Sequence, residues 1–234
     1  MFTVLLVDDE ELVRVSVGFS VRGAMSGVQV IGEAANGLEG LKRIREEHPD
    51  IVITDIRMPK LDGLQMIRAI REESLDIEVV VLSGYADFEY ARQAMKYGVT
   101  EYLLKPVESE NLRETLEACI GRIRKRRDLI QEEKLSKRVT AYIDSHYQED
   151  LFLDRLAEEF GCSSKYLSTL VKSETGKNFS AYLTELRIRR AEDLLRHTEL
   201  EVKEIAASVG YADQRYFNRI FKKHTGKTPT QYRK

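Results

Sequence analysis

Five short aliphatic and β-branched runs, spaced through the first 105 positions and separated by amphipathic stretches, leave this chain few folds to choose from. The runs are Thr3 to Val7, Val28 to Ala34, Ile51 to Thr54, Ile77 to Leu82 and Thr100 to Leu104. Helical patterns lie near 11–24, 37–47, 63–74 and 86–97, and another begins near 108. Two of the runs are almost wholly apolar, as suits strands covered by helices on both faces of a parallel sheet. Five such βα units predict an α/β, doubly wound, parallel five-stranded sheet. In folds of that kind a ligand sits beyond the C-terminal strand ends.

From Glu108 to about Tyr147 the pattern stays helical, with neither proline nor a turn cluster. Leu116, Ile120, Ile123 and Ile130 trace a seam that Arg127 interrupts, and the stretch RIRKRRD is strongly basic. A solvated connecting helix is the expectation, with a short dimerising coiled coil as the alternative. The last hundred residues show no strand pattern but repeat themselves. LAEEFGCSSKYL (Leu156 to Leu167) resembles IAASVGYADQRYF (Ile205 to Phe217), with one extra residue in the second turn. Beyond it Leu170, Val171, Lys172, Thr175, Gly176, Lys177 and Tyr182 match Ile220, Phe221, Lys222, Thr225, Gly226, Lys227 and Tyr232 at a constant offset of fifty. Such agreement marks a duplicated supersecondary unit in an all-α domain.

Charge divides the chain the same way. Residues 1–120 carry 13 Lys and Arg against 22 Asp and Glu, a balance of −9; residues 121–234 carry 24 against 17, a balance of +7. Only the second half is suited to a polyanion. No apolar run approaches the ~18 residues of a membrane span, and the start MFTVLLVDDE reads as a strand rather than a signal peptide. Cys119 and Cys162 lie far apart without a CxxC pairing, so neither a disulfide framework nor a zinc site is expected, and a reducing cytoplasm is.

Asp8 and Asp9 follow the first run and Asp55 follows the third, so neighbouring strand ends bring three carboxylates to one crevice. Bare like charges repel there by about 1 kcal/mol at ~4 Å in water, and by more where partly buried. A hard divalent cation relieves the repulsion, and all-oxygen ligands favour Mg²⁺. Lys105 follows the fifth run and Ser83 the fourth. One sheet edge thus offers a metal, an ammonium, a hydroxyl and a nucleophilic carboxylate, the parts needed for phosphoryl transfer onto Asp55. Each has an ordinary reading alone: Asp8 or Asp9 as a helix N-cap, Asp55 as a turn residue, Lys105 as a surface lysine, Ser83 as loop. Their joint occurrence after four different strands points to a site.

The motifs VDDE, DIRMPKLDG, LSGY and LLKP together resemble the receiver domains of two-component response regulators over residues 1–120. The resemblance implies that Asp55 is the phosphoacceptor, served by a sensor histidine kinase. It implies Asp9, Asp55 and the Arg57 backbone carbonyl as direct Mg²⁺ ligands, with Asp8 assisting through water. Lys105 would hold a phosphoryl oxygen, and its bond to Pro106 would be cis. Ser83 and Tyr102 stand where receivers keep their switch pair, read out on the face of the fourth helix, fifth strand and fifth helix. An ordinary half-buried strand tyrosine is the other reading of Tyr102.

In each repeat a helix ends at glycine, Gly161 or Gly210, as the left-handed turn of a helix-turn-helix requires. In the next helix Lys165, Ser168, Thr169 and Lys172 fall opposite Leu167, Leu170 and Val171. Arg215, Asn218, Arg219 and Lys222, extended by Gln214, fall opposite Phe217, Ile220 and Phe221. Such faces suit base edges, with lysines near the rim neutralising phosphates, although a polar helix face is often merely solvated. The helix Tyr182 to Leu195 could hold both units ~34 Å apart, for successive major-groove segments. Residues 138–234 resemble the AraC-type regulator domain, closely in the second unit; in the first, Val171 stands where that family usually has Phe. The resemblance implies promoter DNA as partner and Lys165, Ser168, Thr169, Gln214, Arg215, Asn218 and Arg219 as base readers.

The expectation is a receiver over 1–120, a helical link over 121–137 and a tandem helix-turn-helix domain over 138–234. The two resemblances together imply a phosphorylation-controlled transcription regulator, homodimeric when phosphorylated, with no membrane partner and no enzymatic activity beyond its own aspartate. A haloacid-dehalogenase-like phosphatase would need a second Asp where Arg57 stands. A phosphate-independent regulator would have no use for the acidic pair and Lys105.

Overall fold

The computed structural model describes residues 1–84 and 88–233, with the backbone alone of Phe88. Tyr85 of the LSGY motif and the expected start of the fourth helix at Ala86 lie outside the described residues. The elements are β1 (Phe2–Val7), α1 (Glu11–Ala24), β2 (Val28–Ala34), α2 (Gly37–Glu47), β3 (Ile51–Asp55), α3 (Gly63–Glu72), β4 (Glu78–Ser83), α4 (Phe88–Lys96) and β5 (Glu101–Leu104). There follow α5 (Ser109–His146), α6 (Leu153–Glu159), α7 (Ser164–Thr175), α8 (Phe179–His197), α9 (Val202–Ser208), α10 (Gln214–Thr225) and α11 (Pro229–Arg233). Contacts group the chain into two units, Met1–Arg127 and Asp128–Lys234, divided within α5.

The five strands of the first unit are parallel in the order β2-β1-β3-β4-β5. The order turns back between β1 and β3, so a crevice opens at their C-terminal ends, where Val7 and Asp55 stand. Alternation along each strand feeds two cores. Leu5, Val7, Val52, Val79 and Val81 meet Ile44, Met66, Ile67 and Ile70 of α2 and α3 on one face. Val4, Leu6, Ile51, Ile53, Val80 and Leu82 meet Val17 and Val21 of α1 and Leu112, Leu116, Ile120 and Ile123 of α5 on the other. Each such side chain contributes about 1.5–3 kcal/mol of burial.

The seam read along α5 is therefore occupied by the chain's own sheet over its first three residues, while Ile130 is 42% exposed. Nor is the whole RIRKRRD stretch solvated. Arg126 Nη1 donates to Glu78 Oε1 at 2.8 Å and its guanidinium also pairs with Asp76. Arg127 pairs with Asp50, and Arg124 and Arg127 each lie 5.5 Å from the Phe2 ring centre. A basic run reads as solvent-facing in sequence because its carboxylate partners lie on distant strand ends.

In the second unit, Val139 and Ile143 of α5 close a core with Leu156, Leu167, Val171, Leu183 and Leu186. A second core gathers Ile188, Ala191 and Leu195 of α8 with Ile205, Val209, Phe217 and Phe221. Ser163 and Asp213 cap α7 and α10, and Gly161 (φ 66) and Gly210 (φ 87) make the two left-handed turns. Among the described residues no helix is long and apolar enough to cross a membrane.

Candidate functional site

Asp8, Asp9 and Asp55 each place a carboxylate oxygen within 4.8 Å of the others at the crevice between β1 and β3. Asp8 and Asp55 are buried, whereas Asp9 is exposed. Asp55 Oδ1 accepts from the backbone N–H of Ile56 at 2.5 Å and of Arg57 at 3.4 Å. Asp55 Oδ2 receives the Lys105 ammonium at 2.7 Å. The same Nζ lies 2.6 Å from Asp8 Oδ2 and 3.6 Å from Glu10 Oε1. One lysine thus bridges the two buried carboxylates. Burial opposes the Lys105 charge, but its hydrogen bonds to Asp55 and Asp8 outweigh that, and its pKa stands above the ordinary lysine value. Burial pushes the Asp8 carboxyl above the usual carboxylate range, against the lowering by Lys105 and the Glu10 N–H; the Asp55 charge pushes the same way as burial. An all-oxygen donor set, two carboxylates buried and one exposed, in which excess negative charge is only partly offset fits a hard divalent cation better than zinc, since the cluster offers no nitrogen or sulfur donor.

The supporting elements explain the placement. Pairing of Ser83 with Leu104 in the β4–β5 register, and of the Lys105 N–H with the Ser83 carbonyl at 2.8 Å, sets Ser83 and Lys105 side by side. The Lys105–Pro106 peptide is cis. Ser83 is buried, Tyr102 is half-buried on β5 against the α3–α4 side core, and Arg57 is exposed just beyond β3. Three residues that the sequence reading passed over also shape the site. Glu10 adds a third carboxylate to Lys105. Arg14 Nη1 donates to the Asp8 carbonyl at 2.7 Å while its Nε pairs with Glu33 at 3.1 Å, holding the turn after β1. Gly63 packs on the phosphoacceptor candidate itself: a Cβ there would stand 2.1 Å from the Asp55 carbonyl oxygen. The detectable signal for Gly63 was a poor helix former set immediately after its N-cap Asp62.

In the second unit, α7 exposes Lys165, Thr169 and Lys172 with Ser168 half-buried, and α10 exposes Arg215, Arg219 and Lys222. Gln214 and Asn218 are half-buried, and the Asn218 Oδ1 is buried without a hydrogen-bond partner. Arg219 lies over the Tyr216 ring at 5.2 Å. Tyr216 and its counterpart Tyr166 are exposed on the same helices, and the sequence reading had taken neither as part of the reading face.

The comparisons agree with this layout. A family model described as the response regulator receiver domain matches residues 4–117, and one described as a helix-turn-helix domain matches residues 156–234. The transcriptional regulatory protein HptR of Staphylococcus aureus (strain NCTC 8325 / PS 47) is 30% identical over 99% of this chain and 98% of its own length. The uncharacterized transcriptional regulatory protein YesN of Bacillus subtilis (strain 168) is 25% identical over 100% of this chain and 98% of its own. A solved CheY-like response regulator receiver domain protein from Methanospirillum hungatei JF-1 shares the fold of 54% of this chain and 98% of its own, with a TM-score of 0.50 and 24% identity. The chain belongs to the two-component response regulators that join a receiver domain to an AraC-type helix-turn-helix domain, and it is a DNA-binding transcription regulator.

Proposed function

We propose that Asp55 accepts a phosphoryl group from a sensor histidine kinase and that the resulting charge governs DNA binding by α7 and α10. The observation that carries this reading is the meeting of three carboxylates within 4.8 Å with an ammonium 2.7 Å from Asp55. Asp55 Oδ attacks the phosphorus in line, the phosphorus–nitrogen bond of a phosphohistidine breaks, and the electron pair returns to the imidazole. Lys105 releases its hold on the carboxylate and meets a phosphoryl oxygen. Asp9, Asp55 and the Arg57 carbonyl would hold Mg²⁺, with Asp8 assisting, and the ion would offset charge on the phosphoryl oxygens. The Ser83 hydroxyl donates to the phosphoryl group, and Tyr102 follows into the space it leaves. Hydrolysis of the acyl phosphate restores the carboxylate, the extent of the protein's chemistry.

In this reading residues 1–120 act as the receiver, 121–137 as the link and 138–234 as the DNA-binding domain, in the cytoplasm and as a homodimer when phosphorylated. Lys165, Ser168, Thr169, Gln214, Arg215, Asn218 and Arg219 read bases, and Lys172 and Lys222 neutralise phosphates. Incubation with Mg²⁺ and a small acyl-phosphate donor tests the receiver half. Modification of one group per chain, abolished in Asp55→Ala and by chelation of the metal, is expected. Label that persists in Asp55→Ala contradicts the assignment.

A further inference from the structure

The two helix-turn-helix units share α8, and the handover between their cores occurs at one residue. Leu186 is the last α8 side chain in the first core and Ile188 the first in the second. Arg187 stands between them. Its Nε donates to the Tyr147 carbonyl and its Nη2 to the Glu149 carbonyl, each at 2.7 Å. Both carbonyls belong to the connection from α5 to α6, the entry of the first unit. Its Cζ lies over the ring of Tyr211, 5.4 Å from the ring centre, in the turn of the second unit. Gly210 of that turn presses in so closely that a Cβ would stand 2.8 Å from the Gln148 carbonyl oxygen and 2.9 Å from Arg187 Cζ. Among the described residues the hydrogen bonds of Arg187 go to the Tyr147 and Glu149 carbonyls, and the carboxylate charge acting on it is that of Asp150.

Arg187 is half-buried; burial lowers its pKa against the raising by Tyr211 and Asp150, and two of its nitrogens are committed to backbone carbonyls. Here two nitrogens of the planar fork donate to backbone carbonyls of the first unit while its central carbon lies over the Tyr211 ring of the second. That combination fixes orientation as well as distance, which a lysine's single rotating ammonium does not. Tyr147 adds to the joint: it packs against both cores and lies 5.7 Å beneath Arg190.

We propose that Arg187 is a positioning residue that sets the separation of α7 and α10, so that the protein selects the spacing between two DNA half-sites as well as their sequences. The proposal rests on the reading that both helices enter the major groove. On that footing the two units bind as one rigid pair, and the second contact is gained only on duplexes whose spacing matches.

Selection from a duplex library tests it, using the full chain and two randomised blocks whose spacer varies around one helical turn (~10 base pairs). The wild-type protein is expected to enrich two block sequences at a single spacing. Arg187→Lys is expected to enrich the same block sequences over a spread of spacings. It should bind the best wild-type duplex about tenfold more weakly, with unchanged affinity for a duplex carrying one block. Tyr211→Phe, which keeps the ring beneath the guanidinium, should retain the single spacing. An Arg187→Lys protein that still selects one spacing overturns the proposal, as does one that no longer unfolds cooperatively, since the residue would then serve folding. Enrichment of only one block by the wild type would instead defeat the two-helix reading beneath it.

Discussion

Fifty residues apart in the chain, Val171 and Phe221 occupy equivalent places in the two helix-turn-helix units, and both are fully buried. Around Phe221 the second core is built of rings: Phe217 at 5.6 Å between centres and Tyr232 at 5.4 Å, edge-on. The first unit has no such stack at its Val171; its core is completed instead by Val139 and Ile143 from the long helix α5. Their surfaces differ as well. The exposed face of α10 carries Arg215, Arg219, Lys222 and Lys223, whereas α7 offers two lysines among hydroxyls. One duplicated plan therefore yields a second unit with an aromatic cluster around Phe221 and a dense cationic face, and a first unit whose core draws on α5. The second is suited to supply the standing affinity for DNA.

The sharpest way to break this comparison is to empty both positions. Phe221→Ala should cost about 3–5 kcal/mol, while Val171→Ala should cost roughly 2, because fewer methylene groups leave and the α5 side chains remain. Urea unfolding followed by the C-terminal unit's own transition measures both; equal losses would mean that the aromatic stack adds nothing.

At the DNA surface, Arg219→Ala should relax specificity at its base position by ~1–3 kcal/mol, whereas Lys222→Ala should weaken every sequence alike and flatten the salt dependence. Binding measured on selected and scrambled duplexes at two salt concentrations separates them. Uniform loss for both would reduce α10 to a phosphate clamp and erase its difference from α7.

The smallest effect concerns the caps. Backbone N–H groups of Tyr216 and Arg215 hold the Asp213 carboxyl below its ordinary pKa of 3.8. A carboxylate whose folded pKa is depressed contributes its stability in full above the unfolded value and loses it as pH falls through the folded value. Ser163, which caps α7, does not titrate. Protection of the first-turn amides of α10, relative to their intrinsic exchange rates, should therefore fall in acid below about pH 3.8 while that of α7 does not. Parallel loss of protection in both helices would trace the effect to general acid unfolding.

Much of this was legible in the chain itself, for a physical reason. Strand ends in a parallel sheet are marked by apolar runs that stop at a polar residue, so the sequence alone assigns Asp8, Asp9, Asp55, Ser83 and Lys105 to one edge. The helix faces of α7 and α10 followed from the 3.6-residue period alone. What escaped were residues that work through contacts made across long separations. Arg126 and Arg127 looked solvated because Glu78, Asp76 and Asp50 lie some fifty residues or more away. Gly63 and Arg187 act on backbone carbonyls, which every residue has and no pattern distinguishes. Leu116, Ile120 and Ile123 showed the right spacing for a helix partner, but periodicity names a buried face without saying what buries it.

The central claim is that charge placed on Asp55 is felt by the paired DNA-reading units. Its most direct measurement is the affinity of the full chain for a selected two-block duplex, with Mg²⁺ present, before and after addition of beryllofluoride. A change of about tenfold or more that vanishes in Asp55→Ala is the predicted result. Identical affinity in both conditions, with the beryllofluoride adduct formed on Asp55, would contradict the account.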